Sequence, residues 1–231
     1  DNIPEDVAHA IQLAAQEVID GKLDEHFPID IYQTGSGTSS NMNANEVIAH
    51  RAMELVPDLS VKVHPNDHIN FGQSSNDTFP TAIRIAGYIE AKNVLIPVLK
   101  FLRETFLKKG AEYSHVVKTG RTHLMDAMPV TVEQEFGGYA RQIEIGIQRI
   151  ESALQQMAEL PMGGTAVGTG INTDPEFPPK FAAEISKLAG ESFREAENHF
   201  EAQATVDAPV ALGAQLKTMA VSLFKIVNDL R

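Results

Sequence analysis

The sequence predicts an all-α protein built around a bundle of long helices. Three observations carry that expectation. Phe136, Ala140, Ile143, Ile147, Ile150, Leu154 and Met157 alternate spacings of four and three, the seam of a helix packed nearly parallel or antiparallel to its neighbours. Hydrophobic residues make up 43% of the chain but aromatic ones only 6%, with no Trp, which suits aliphatic helix packing better than a β-sandwich. No segment predicts a strand of consequence, and no internal repeat is present.

The elements follow in order. A first helix is expected from about Pro4 to Asp20, with Pro4 suited to a first turn, Val7, Ile11, Ala14 and Val18 in one stripe, and Gly21 beyond the end. A second starts near Asn43, carries Val47, Ile48, Met53 and Val56, and stops at Pro57. Residues 57–79 show neither helical nor strand period and read as a long loop of functional character. A third helix opens near Asp77 and closes at Lys108, Lys109 and Gly110, where cations and glycine are stop signals. Pro97 removes one backbone donor inside it and predicts a bend. Leu95, Leu99, Leu102 and Phe106 form its stripe, yet Ile96, Val98 and Phe101 occupy other faces, so protein is expected all round it. Thr131 and Gln134 predict a capping box at the start of the seam helix. A glycine-rich loop at Gly163–Asn172 precedes a short helix over Pro179–Ala189, ended by Gly190. The last helix carries Leu216, Ala220, Leu223, Val227 and Leu230 and reaches Arg231 in mid-stripe, which predicts a cut chain.

Composition excludes several classes. A net charge of −12 repels nucleic acid and anionic membranes, so neither is an expected partner. A small anion remains compatible, because local donors override a global field screened beyond about 10 Å. With no Cys there is no disulfide, thiolate nucleophile or Cys-bound zinc, and a reducing compartment is expected. No apolar run approaches the roughly 20 residues of a membrane span, and no signal peptide is visible.

Four polar clusters lie where helical patterns stop or start: Thr34–Asn43 (TGSGTSSNMN), His64–Asn70 (HPNDHIN), Gly72–Thr78 (GQSSNDT) and Gly120–Asp126 (GRTHLMD). They supply hydroxyls, amides and imidazoles, the groups that hold carboxylates and move protons. His123, beside Thr122 and Arg121, is the candidate acid–base group, its rival reading being a loop histidine satisfied by a carbonyl. Ser74, Ser75 and Asn76 precede a helix start, where free N–H groups and the dipole favour an anion; plain N-capping explains one such residue but not a run. Ser36, Gly37 and Thr38 look like a phosphate loop, but no GK[ST] ending or GxGxxG occurs, so nucleotide binding is not expected. His64 and His68 lie four apart with Asp67 between, a spacing useful for a metal only on a helix, which Pro65 disfavours; no metal is expected.

Taken together and in this order, TGSGTSSNMNANEV, HPND, SSND, GRTHLMDA and GGTAVGTGIN resemble the fumarase/aspartase superfamily, and more narrowly the class II fumarases, across essentially the whole chain. The resemblance implies an all-α long-helix bundle, present here incompletely, with residues 1–73 part of an N-terminal helical domain and 74–231 the first half of a central bundle. It implies a homotetramer with active sites shared between subunits, a small dicarboxylate substrate (fumarate or L-malate), reversible hydration without cofactor, and a cytoplasmic or mitochondrial-matrix setting. Carried over by position, His123 activates or delivers water, while Ser36, Gly37, Thr38, Ser74, Ser75, Asn76 and Thr122 bind substrate. His64, Pro65, Asn66 and Asp67 match a second, peripheral dicarboxylate site. The family's GSSxMPxKxN loop, which supplies a proton-abstracting serine, a lysine and an asparagine, does not occur in the 231 residues, so a fragment lacking that loop is expected. Two alternatives stay open: an aspartate ammonia-lyase, disfavoured by Ser75 and by the Thr34–Ser40 stretch, and a noncatalytic helical assembly module.

Overall fold

Caps and apolar periods place most of the chain in helices. The computed structural model describes residues 3–33 and 37–231. Its main elements are α1 (Glu5–Ile19), α2 (Thr38–Leu55), α3 (Ser75–Glu90), α4 (Ile96–Glu112), β1 (Val117–Thr122), β2 (Met125–Thr131), α5 (Val132–Met157), β3 (Glu159–Leu160), α6 (Phe177–Ala189), β4 (Arg194–Glu195), α7 (His199–Ala204) and α8 (Asp207–Leu230). The chain divides into two units, one of Asp1–Ile83 with Glu159–Thr205, the other of Arg84–Ala158 with Val206–Arg231.

In the first unit, small side chains let α1 and α2 approach closely. Val7, Ala10 and Ala14 of α1 and Ala49 and Ala52 of α2 are fully buried together with Val63. Two polar ties fix the pair. Asp6 accepts from the Ser60 backbone N–H (2.7 Å) and hydroxyl (2.9 Å), bonds that hold its carboxyl below the usual range. The Arg51 guanidinium donates to Glu17 and lowers that carboxyl likewise. α2 begins at Thr38 and not at Asn43 as the apolar pattern predicts. Its buried face starts with amides, Asn41 and Asn45, one turn apart and in line with Ala49, so the stripe is real but partly polar. β3 and β4 form a short parallel pair (Glu159 with Arg194, Leu160 with Glu195) beside α6, which ends on Gly190 at φ +67°.

The expected third helix is two, α3 and α4, joined by a π-helical turn over Ala91–Leu95. Pro97 cannot donate to the carbonyl four residues back, and widening the preceding turn absorbs that loss. The bend predicted at Pro97 is thus a local change of helix type just ahead of it.

In the second unit, α4, α5 and α8 bundle together. The α5 seam is buried from Ala140 to Met157, and its capping box forms: the Gln134 N–H donates to Thr131 Oγ1 (3.1 Å) while the Thr131 N–H donates to Gln134 Oε1 (2.9 Å). Phe106, Phe136 and Tyr139 pack with ring centroids 5.6–5.9 Å apart. Two expectations need correction. β1 and β2 are a genuine antiparallel hairpin, pairing Val117 with Thr131 and Thr122 with Met125. Both its faces are largely exposed, so it carries no alternation for a sequence reading to detect. On α8 the buried residues are Ala208, Leu212, Met219 and Ile226, whereas Leu216 and Val227 are exposed. The helix is apolar on several faces, and the face that packs is chosen by fit, since the Met219 methyl fills the gap left by Gly146 of α5, where a Cβ would come within 2.1 Å of it. α8 is also long and apolar enough to cross a membrane by length and composition alone, although Lys217 and Lys225 break any continuous apolar run.

Candidate functional site

The site is built on the first turn of α3. Ser74 is its N-cap, and the hydroxyl accepts from the Asn76 N–H at 3.3 Å. Asp77, three residues on, completes the cap from the other side, its Oδ1 accepting from the Ser74 N–H at 2.9 Å. Its Oδ2 reaches across the fold, accepting from the N–H groups of Gly163 (3.0 Å) and Thr165 (2.8 Å). Asp77 is fully buried. The plain capping reading of SSND therefore explains one carboxylate oxygen, while the other anchors the glycine-rich loop. Asn76 adds a second anchor by donating to the Ala166 carbonyl at 3.0 Å.

Beneath Ser75 lies an amide network that the sequence reading missed. Asn41 donates to Ser75 Oγ (3.0 Å) and Asn70 Oδ1 (3.2 Å), and Asn45 donates to the same Asn70 oxygen (3.2 Å). Asn41 and Asn45 are buried, an uncommon place for an amide unless it is satisfied. Because Ser75 receives a hydrogen bond, its own O–H is left to donate. The available signal was Asn at spacing four running into a stripe of alanines.

The HPNDH segment forms a single π-helical turn, Pro65–Ile69, capped by His64; the proline that disfavours a helix interior is tolerated at its first position. His64 Nδ1 accepts from the N–H groups of Asn66 and Asp67 (both 3.3 Å), with Asp67 Oδ2 3.2 Å from the same nitrogen. His68 Nδ1 accepts from the His64 N–H at 2.8 Å. The two imidazoles thus engage the turn itself. Among the described residues no three His, Cys, Asp or Glu side chains come together to hold a metal.

These parts line one cleft of about 590 Å³ in the first unit. Asn66, Asp67, Asn70, Gln73 and Ser74 come from one side of the chain, Thr165, Ala166 and Asn172 from the glycine-rich loop. The lining is rich in neutral hydroxyl and amide donors, with Asp67 its one charged side chain. Such donors bind an anion through charge-assisted hydrogen bonds. Of the residues that sequence reading assigned to two separate sites, Asn66 and Asp67 of the one and Ser74 of the other line this cleft.

The remaining candidates are not among the residues that line this cleft. Gly37 is buried at φ +85°, with the Phe79 ring where a Cβ would be (2.1 Å), and Thr38 is exposed at the first position of α2. Ser36 lies outside the described residues. Thr122 and His123 belong to the second unit, at the tip of the β1–β2 hairpin, both exposed. His123 and Leu124 have φ of +52° and +61°, the backbone of a type I′ turn built without Asn or Gly.

The model of the Lyase family matches residues 1–231. Fumarate hydratase class II of Corynebacterium glutamicum is 57% identical over 97% of this chain and 47% of its own length. Mitochondrial fumarate hydratase of Saccharomyces cerevisiae is 53% identical over 97% of this chain and 46% of its own. The solved class II fumarase from Schistosoma mansoni superposes with a TM-score of 0.95 at 39% identity, covering 99% of this chain and 51% of that one. The chain therefore spans about half the length of the curated relatives it matches. The resemblance read from five motifs extends over the whole of the chain, in sequence and in backbone, and with the family model matched from end to end the chain belongs to the Lyase family.

Proposed function

We propose that this chain is part of a class II fumarate hydratase, a hydro-lyase that interconverts fumarate and L-malate in the tricarboxylic acid cycle, in the cytoplasm or the mitochondrial matrix. One observation carries the reading: a cleft at the first turn of α3 lined by neutral donors, with the GQSSNDT, HPND and glycine-rich motifs all contributing. One carboxylate of a C4 diacid is held by the hydroxyl and amide donors of Ser74, Ser75 and Asn76, where the helix dipole adds to them. Ser36, Gly37 and Thr38 contact the substrate too, and His64–Asp67 form a second dicarboxylate site. Dehydration of malate removes a carbon-bound proton beside a carboxylate and builds negative charge there, and donors already in place lower the cost of that charge. His123, as imidazolium, gives the departing hydroxide its proton; in hydration it takes one from water, while Thr122 orients a carboxylate. No serine of these 231 residues is assigned the carbon-bound proton. The working molecule is a homotetramer with each site shared between subunits, and the proton transfers need neither metal nor organic cofactor.

The test is ultraviolet absorbance of fumarate when L-malate or L-aspartate is added to the full-length protein. Turnover of malate is expected, with His123→Asn lowering it about 10²-fold or more. Turnover of aspartate alone would make the protein an ammonia-lyase, and an unchanged His123→Asn variant would remove the imidazole from the mechanism.

A further inference from the structure

Thr165 is the most unusual residue of the cleft. Its backbone sits at φ +56°, a conformation that a β-branched residue adopts only when its surroundings compel it. Those surroundings are visible: the Thr165 N–H donates to Asp77 Oδ2 at 2.8 Å, and the Thr165 carbonyl accepts from Gln203 Nε2 at 2.8 Å. Gly163, two residues earlier, takes φ +103° so that the chain can pass Pro178, which stands 2.1 Å from where a Cβ would be. The residue is 3% exposed and lines the cleft, yet its Oγ1 has no hydrogen-bond partner among the described residues. A buried hydroxyl without a partner destabilises the fold, and so does the backbone, so packing alone favours another residue here.

We propose that Thr165 is a substrate-binding residue, its hydroxyl donating to a carboxylate oxygen in the cleft, and that buried Asp77 is the positioning residue that holds it there. This rests on the fumarate hydratase reading and extends it to the glycine-rich loop. Asp77 suits the task because its two oxygens address two separate stretches of chain. One caps α3 beside Ser74, and the other gathers the N–H groups of Gly163 and Thr165, 86 and 88 residues away. The hydroxyls of Ser74 and Thr165 are thereby referred to a single carboxylate. An Asn at position 77 keeps the shape, but one of its two ends turns N–H groups against N–H groups.

The experiment compares Thr165→Val, Thr165→Ser and Asp77→Asn in the full-length protein, measuring KM, kcat and Tm with fumarate and L-malate. Val keeps the β-branched shape and removes only the hydroxyl. It is expected to raise Tm, by removing an unpartnered polar group, while raising KM about tenfold; Ser, which retains the hydroxyl, keeps KM near wild type. Asp77→Asn is expected to raise KM similarly and to lower Tm. A higher Tm with unchanged KM in Thr165→Val overturns the assignment of Thr165 whatever Asp77→Asn does, including failure to fold. An Asp77→Asn protein that folds with wild-type KM overturns the positioning role. Wild-type protein that turns over neither substrate overturns the parent reading, a result separate from all of these.

Discussion

Tyr139 shows how one side chain can tie stability to pH. Its ring is 3% exposed, packed on Phe106 and Phe136 with the Lys225 ammonium 5.0 Å from its centroid. Burial pushes the phenol pKa up, and the nearby carboxylates of Glu135 and Asp229 push it further. The folded protein therefore prefers the neutral phenol more than the unfolded chain does. That contribution is fully present below the unfolded value of about 10 and is lost as pH rises towards the folded one. The loss is at most about 1.4 kcal/mol per pH unit for one proton. Urea midpoints taken at increasing alkaline pH should fall for the wild type and fall less steeply for Tyr139→Phe; parallel curves would refute the linkage. At this scale sequence legibility was uneven. His123, Ser74 and Asn76 stood out because each lies in a run of hydroxyl, amide or imidazole groups where a helical pattern stops or starts. Asn41, Asn45 and Thr165 did not, because each has meaning only through a partner distant in the chain: Asn70 for the amides, Asp77 for the threonine.

At the scale of elements, caps and seams were legible and turn geometry was not. The Thr131 and Gln134 box, the α5 seam and the Gly190 stop are encoded within a few residues and formed as local rules require. The β1–β2 hairpin was not, since its strands are exposed on both faces and its turn uses His123 and Leu124 where Asn and Gly are preferred. Leu124 is 96% exposed at φ +61°, so its side chain contributes no packing to offset the strain. Leu124→Gly should therefore stabilise the protein by roughly 1 kcal/mol, read as a higher denaturation midpoint. A lower midpoint would mean that the leucine is packed in the working assembly, and the same variant's sedimentation would reveal that. A turn that forgoes the favoured residues and carries the candidate proton-transfer group is consistent with chemistry, not stability, having selected its sequence.

For the whole molecule the question is what covers the apolar faces that the three-helix packing leaves open. Val210, Val221, Phe224 and Val227 of α8 are 62–74% exposed, and Val98 and Phe101 of α4 are 59% and 74% exposed. The sequence already showed the helix that carries Val98 and Phe101 to be apolar on several sides, and the second unit buries only one side of α8. Which side could not be read, because Gly146 and Met219 decide it by complementary shape and not by hydropathy. Scattered apolar residues need no explanation, but aligned ones on two long helices do. In the proposed homotetramer these faces are covered by a second copy of the chain. Burial of Phe224 against another subunit then contributes about 1.5–3 kcal/mol per site, and a charge placed there must be desolvated or must break the contact. Phe224→Lys in the full-length protein should sediment as a smaller species than the wild type at equal concentration. If, as proposed, each site is shared between subunits, the variant's turnover should fall with dilution. A Phe224→Lys protein that keeps its mass and its activity at every concentration would show that this face of α8 is not a subunit interface.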